Sequence, residues 1–330
     1  MKGLSVALER VPAPIRFFVK RILVGVGLLF AVSVLVFALI QSVPGDPARL
    51  LLAGDSGTVS EEAVVELRAE LGLDKPLLVQ FGTYLLGLLN GDLGTSFVKK
   101  APVLELLTTR LPNTLEIVGF AAVISIIVGV GFGLMSAAMA KKYARGTAFS
   151  TLTSLGLSAP VYVIGTLLVY FVSVKWGLLP AGGFKSWSAD VGQHLKLLVL
   201  PVVTIAIGLS SIIARATRSA VLETREQDWV RTARALGHPP RQVWFEAVLR
   251  NSLTPVVTLV GLEIGILMGS TVLVERVFNW PGLSSLLIES VAQRDYPVIQ
   301  GVILLTAAIF IFINIVVDFL YTVLDPRARS

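Results

Sequence analysis

Residues 230–240 read VRTARALGHPP, the most arginine-rich interruption of an otherwise oily chain. Two readings compete: a loose connector or amphipathic loop at the membrane surface, and a shaped docking surface. From Arg225 to Leu236 the pattern is helical. Trp229, Val230, Ala233 and Leu236 fall on one side, while Arg231 and Arg234 lie elsewhere. Gly237 ends the helix, and Pro239 and Pro240 force the chain to turn. RQVWFEAVLRN, residues 241–251, then resumes a helix displaying Val243, Trp244, Ala247 and Val248. The expectation is helix, sharp turn, helix, a rigid knuckle that a mere connector would not need.

What flanks this knuckle is membrane-like. Of 330 residues, 54% are hydrophobic and 15% charged, with mean hydropathy +0.79; soluble domains carry about 25% charge. Runs free of charge cover 22–40, 117–140, 147–174, 197–214 and 296–317, and 251–274 is broken only by Glu263. About 20 apolar residues cross the hydrocarbon as helix, so six spans are expected. The first is long for a signal segment and no A-x-A site follows, so it is read as a retained span. Lys and Arg collect in the amino-terminal tail, at 141–145, in 215–250, which holds seven Arg, and at 327–329. With six spans these share one side, whereas 43–111 holds nine acids against six bases. Both termini are therefore expected in the cytoplasm. The expected class is an all-α polytopic membrane protein. It divides into a tail (1–21), a first helix (22–42), an extracytoplasmic helical segment (43–111), a five-helix core (112–324) carrying the loop 215–250, and a tail (325–330).

The outer segment is not featureless. Thr58 with Glu61 could form a capping box, with Ser60 as a rival cap. Val64, Val65, Leu67 and Leu71 mark one helical side, and Gly72 is a stop signal. A second, more apolar helix over 74–94 is too short to span and is read as interfacial or packed on the bundle. GLLPAGGF, 177–184, is a Gly/Pro turn, and 278–297 a short helix between proline-marked turns. Within the spans, Gly129 and Gly133 lie one turn apart, and Gly261, Gly265 and Gly269 form a double G-x-x-x-G. Such stripes serve bundle packing, or alternatively a subunit interface or a pathway face. Glu263 lies on roughly the opposite side, read as a hydrogen-bonded group or the edge of an aqueous passage, with a proton relay as the alternative. Asp318 and Asp325 are similar in kind, nearer the interface.

Catalysis finds no support. There is no phosphate-cradling G-x-x-x-x-G-K-[ST], no cysteine, and only His194 and His238, on opposite sides of the expected membrane. These exclude a metal site of cysteine type, and the two histidines cannot share a metal. GDSGT, 54–58, lacks the surroundings of a serine nucleophile. Nothing points to a nucleic-acid partner.

The knuckle resembles the cytoplasmic loop of inner-membrane permease subunits of ATP-binding cassette (ABC) importers. Trp229 stands where tyrosine is common, followed by VRTARALG, residues 230–237, including Thr232. The general form opens Glu-Ala-Ala, with glycine four residues after the second alanine. The corresponding Arg231, Thr232, Ala233 and Gly237, with Pro255 further on, are similar to the peptide-transport branch. PGDPA (44–48), LGLDKPL (71–77), GDLGTSF (91–97), LPNTLE (111–116), VERVFNWPGLSSLL (274–287), RDYPVIQG (294–301) and LYTVLDPR (320–327) follow that branch along almost the whole chain. The resemblance, to the first of two paired permeases, implies the type I importer permease fold. It also implies a bacterial inner-membrane location and no catalytic site or cofactor here; ATP and Mg would be bound by partner subunits. The implied partners are a homologous second permease, two cytoplasmic ATPases and an external substrate-binding protein. The implied ATPase seat is Trp229, Val230, Arg231, Thr232, Ala233, Arg234, Leu236 and Gly237. Dipeptides or oligopeptides lead as cargo, with nickel or another metal chelate, oligosaccharides and glutathione as alternatives. A secondary transporter and a cargo-free scaffold are the competing functional classes.

Overall fold

The computed structural model describes residues 13–43, 45, 46, 48, 49, 52, 60–70, 72–139 and 143–324. Among these residues the chain is helical, and the one strand-like feature is an antiparallel bridge between Thr95 and Pro102. The elements in order are α1 (Ala13–Gln41), α2 (Glu61–Glu70), α3 (Leu77–Leu89), α4 (Val103–Ala138), α5 (Tyr143–Ser158), α6 (Val161–Leu168), α7 (Val191–Glu226), α8 (Asp228–Ala235), α9 (Arg250–Ser270), α10 (Val272–Val277), α11 (Leu283–Ala292) and α12 (Tyr296–Leu324). A π-helical turn, Val169–Lys175, continues α6, and Pro240–Gln242 with the π-helical Val243–Leu249 leads into α9.

Among the described residues five helices are long and apolar enough to cross a membrane: Phe18–Gln41, Val103–Ala138, Val191–Glu226, Pro240–Gly269 and Tyr296–Phe319. The uncharged run 147–174, expected as one span, instead comes in two pieces, α5 and α6 with its π turn. The break is at Pro160, in extended conformation with φ −57° and ψ 139°. Proline lacks the N–H that would continue the ladder and drives its predecessor out of helical space. Hydropathy is blind to that break, because residues 147–174 carry no charge on either side of it. It also understates α4 and α7. At 36 residues each they run ~54 Å, well beyond a hydrocarbon core of ~30 Å. Helix formation does not stop where charge begins, so Glu105, Arg110, Arg215, Arg218 and Arg225 are all carried on these helices.

The chain forms two compact units. One comprises Leu23–Asn113 with Pro281–Ala308. Its core gathers Val103, Leu107, Leu283, Leu286, Val298 and Val302. Gly301 lets helices close, since a Cβ there would meet Val103 Cγ1 at 2.6 Å. GDLGTSF and RDYPVIQG prove to be two halves of one contact. The buried Asp295 carboxylate accepts from the Ser96 hydroxyl and, at 3.0 Å, from the Phe97 N–H. Lys99 reaches Glu289 at 3.2 Å. Before them, α2 begins right after Ser60, whose carbonyl accepts the Val64 N–H at 3.1 Å; Thr58 lies outside the described residues. Val64 is buried, Val65 exposed, and Leu71 also lies outside the described residues. Gly72, at φ +67°, takes the left-handed conformation that ends the helix. On α3, Leu78 and Leu89 are 85% and 84% exposed, while Phe81 and Tyr84 pack against Phe37 of α1.

The other unit comprises Thr114–Trp280 with the residues up to Ile22 and from Ile309. Its main core packs Ile117, Ala121, Leu197, Leu200, Ile205, Phe278 and Trp280. Several polar groups inside are paired: Glu275, fully buried, accepts from the Thr114 hydroxyl at 2.7 Å. Glu116 receives Trp187 Nε1 and lies 2.8 Å from His194 Nε2, while His194 Nδ1 meets the Lys185 carbonyl. The turn 177–184 is held by a 2.7 Å bond from the Gly183 N–H to the Phe278 carbonyl. Asp190 caps α7 through the Gln193 N–H, and that bond, with the Lys185 charge as a lesser cause, holds its carboxyl below the usual range. Arg21 pairs with Asp318 at 3.0 Å; Asp325 lies outside the described residues.

Candidate functional site

The knuckle is built from the ends of two long helices. After α7 the chain breaks at Gln227, extended at ψ 144°, and α8 begins at once. Two residues after α8, Gly237 adopts φ +80°. A Cβ added there would meet nothing within 4 Å, so this glycine serves backbone conformation and not clearance. Pro239 and Pro240 then start the next helix, proline sitting in the first turn where its missing N–H costs nothing. From there the chain runs without a break through the π-helical turn into α9.

A small apolar cluster seats this device. Val230, Val243 and Val248 are buried with Val221 and Ala137, and Leu134, Ala233, Trp244 and Ala247 pack against them. Arg225 adds a tie the sequence reading did not single out. Its guanidinium donates to the Ala137 carbonyl at 3.3 Å, capping the end of α4, and lies 5.9 Å from the Trp244 ring. One arginine thus joins α4, α7 and the helix that leads into α9.

The expected apolar side therefore divides. Val230 is fully buried and Ala233 half-buried, both against the chain's own core, so Val230 is unavailable to a partner. Trp229 is 44% exposed and Leu236 74%. Arg231, Thr232, Arg234 and Gly237 are exposed. The 3.8 Å contact of Arg231 with Asp228 is a solvated pair of little energetic weight. What α8 presents outward is an unsatisfied tryptophan and leucine framed by two arginines.

The glycine stripes resolve into packing. A Cβ at Gly129 would lie 2.8 Å from the Ser210 carbonyl, and one at Gly133 2.7 Å from that of Ala214, so α4 and α7 touch backbone to backbone. Gly261 faces Val317 and Gly265 faces Phe310 on α12, while Gly269 meets nothing. Glu263 points elsewhere, into a cavity of about 150 Å³ lined also by Val161, Ile205, Leu209 and Thr271. Among the described residues no hydrogen bond or ion pair within this chain reaches its carboxylate. No group of three or more His, Cys, Asp or Glu residues forms a metal site among the described residues.

Comparison with known proteins places these features. Residues 129–330 match the family "Binding-protein-dependent transport system inner membrane component", and 14–118 match its amino-terminal companion. The probable peptide ABC transporter permease protein y4tP of Sinorhizobium fredii is 36% identical, over 95% of this chain and 99% of its own length. The glutathione transport system permease protein GsiC of Escherichia coli is 40% identical, over 96% and 99%. Among solved structures, the inward-facing MetNI methionine ABC transporter aligns with TM-score 0.55 at 19% identity, over 67% of this chain and 96% of that one, a likeness of fold. The chain belongs to the binding-protein-dependent transport system inner membrane component family: it is a permease subunit of an ABC importer, a multi-pass membrane protein whose ATPase is a separate subunit.

Proposed function

We propose that this chain forms half of the pathway for a short peptide delivered by an external binding protein, and that α8 with Gly237 is where a cytoplasmic ATPase subunit seats. The two relatives named for peptide and for glutathione support the cargo class, since glutathione is itself a tripeptide. In this reading a homologous permease completes the pathway, both termini are cytoplasmic, and ATP with Mg is bound by two partner ATPases. Closure of the ATPases moves the knuckle, and α9, continuous with it, and α7, joined to it at Gln227, carry the motion into the membrane. Alternating access of this kind needs a rigid lever on a bistable bundle. Glu263 faces a cavity and has no hydrogen bond or ion pair among the described residues, which supports a place on the pathway side, because a membrane carboxylate is costly unless it is paired or reaches water.

The observation that carries the docking reading is the exposure of Trp229 and Leu236 on a helix whose other side is anchored. Burying one such leucine is worth ~2 kcal/mol, and a carboxylate in its place adds a desolvation cost. Leu236→Asp should insert normally but retain at least ~tenfold less ATPase on co-purification. Full retention would refute the seat. Ala233→Asp is the poorer probe, because Ala233 packs on the chain's own cluster and a charge there would unseat α8 itself.

A further inference from the structure

In the unit formed by Leu23–Asn113 with Pro281–Ala308 lies a cavity of about 400 Å³, within the size range of small-molecule sites. Its walls come from the last turns of α1, the turn before α3, α3 itself and the first turns of α12. Two spans thus contribute their ends, which puts the cavity at the depth where hydrocarbon gives way to headgroups. The exposed leucines of α3 fit the same depth.

Its chemistry is two-sided. Phe37 and Phe97 line it with aromatic surface, and Phe37 stacks on Tyr84 with ring centroids 6.2 Å apart. The Tyr84 hydroxyl is sealed from solvent and has no hydrogen-bond partner among the described residues, an arrangement that costs free energy unless a ligand that parts the side chains around it accepts its proton. Burial pushes this phenol well above its ordinary pKa, so it stays a donor. Lys75 also lines the cavity, with no carboxylate at ion-pair distance among the described residues, and Gln300 adds an amide. A standing O–H donor and an exposed ammonium with no carboxylate partner among the described residues suit an anionic acceptor. The aromatic wall calls for carbon.

We propose that this cavity holds the headgroup of an anionic glycerophospholipid, Lys75 and Tyr84 meeting the phosphate and Phe37 and Phe97 covering the glycerol and first acyl carbons. Inorganic phosphate would satisfy the donors but leave the aromatic wall wet. A zwitterionic lipid brings a cation close to Lys75. The proposal does not depend on which cargo the importer carries.

The test is native mass spectrometry of the detergent-purified, delipidated importer complex. It is titrated separately with short-chain phosphatidylglycerol, with phosphatidylcholine of equal chain length and with inorganic phosphate. Phosphatidylglycerol should bind with the highest affinity. Lys75→Gln should weaken it about fivefold, the scale of one basic residue against an anionic headgroup. Tyr84→Phe, which keeps the ring stacking, should weaken it severalfold. Neither variant should change the weak phosphatidylcholine adducts. Equal affinity for the two lipids, equal affinity for phosphate alone, or unchanged phosphatidylglycerol binding in the Lys75→Gln/Tyr84→Phe double variant would each overturn it.

Discussion

Gly237 shows how much one residue can decide. Its φ of +80° aims everything after it, yet no neighbouring atom would touch a side chain there. A β-branched residue is strained in that conformation by ~1–2 kcal/mol, whereas asparagine visits it readily. Gly237→Val should therefore insert as wild type but lose cargo-stimulated ATP hydrolysis, and Gly237→Asn should restore most of it. Loss in both would mean that clearance for a partner, and not backbone direction, is what this position supplies. The stop at Gly237 was legible because glycine before two prolines has few other uses. The split of the apolar side was not: helical spacing puts Val230, Ala233 and Leu236 near one another. Only the cluster with Ala137 and Val221, 84 residues apart in sequence, decides which face inward. Asp295 and Ser96 were equally hidden. Each sat in a quoted motif, but nothing local in either says that the two motifs bond across 199 positions.

At the scale of elements, charge-free runs located the spans but not their shape. Pro160 divides one run, and α4 and α7 outlast theirs because exposed charges do not end helices. The knuckle was legible as two helices and a turn; its tie to α4 was not, since Arg225 looked like one arginine among seven. That tie predicts a specific defect. Arg225→Gln removes the ring contact and weakens the cap on Ala137 while leaving the outward face of α8 intact. The ATPase should still co-purify, but cargo taken up per ATP hydrolysed should fall severalfold. Unchanged stoichiometry in proteoliposomes would show that α4 is not part of the lever. Arg225→Lys should rescue only in part, because an ammonium lacks the planar face that stacks on tryptophan.

For the whole molecule, an ATPase seat on α8 requires that its outward apolar edge lie on the cytoplasmic side of the membrane. The membrane class was legible from composition, and the family from motifs spread along the chain. The contacts that hold each unit were not, because they join segments far apart in sequence. The absence of cysteine lets the central claim be tested cleanly in assembled importer in native membranes, using single cysteines at Leu236 and Ser188 and a short bifunctional crosslinker. Leu236→Cys should join this chain to an ATPase subunit. Ser188→Cys should not, and should instead react with an impermeant maleimide added to spheroplasts. An ATPase adduct at position 188, or none at position 236 in an otherwise intact complex, would contradict the account.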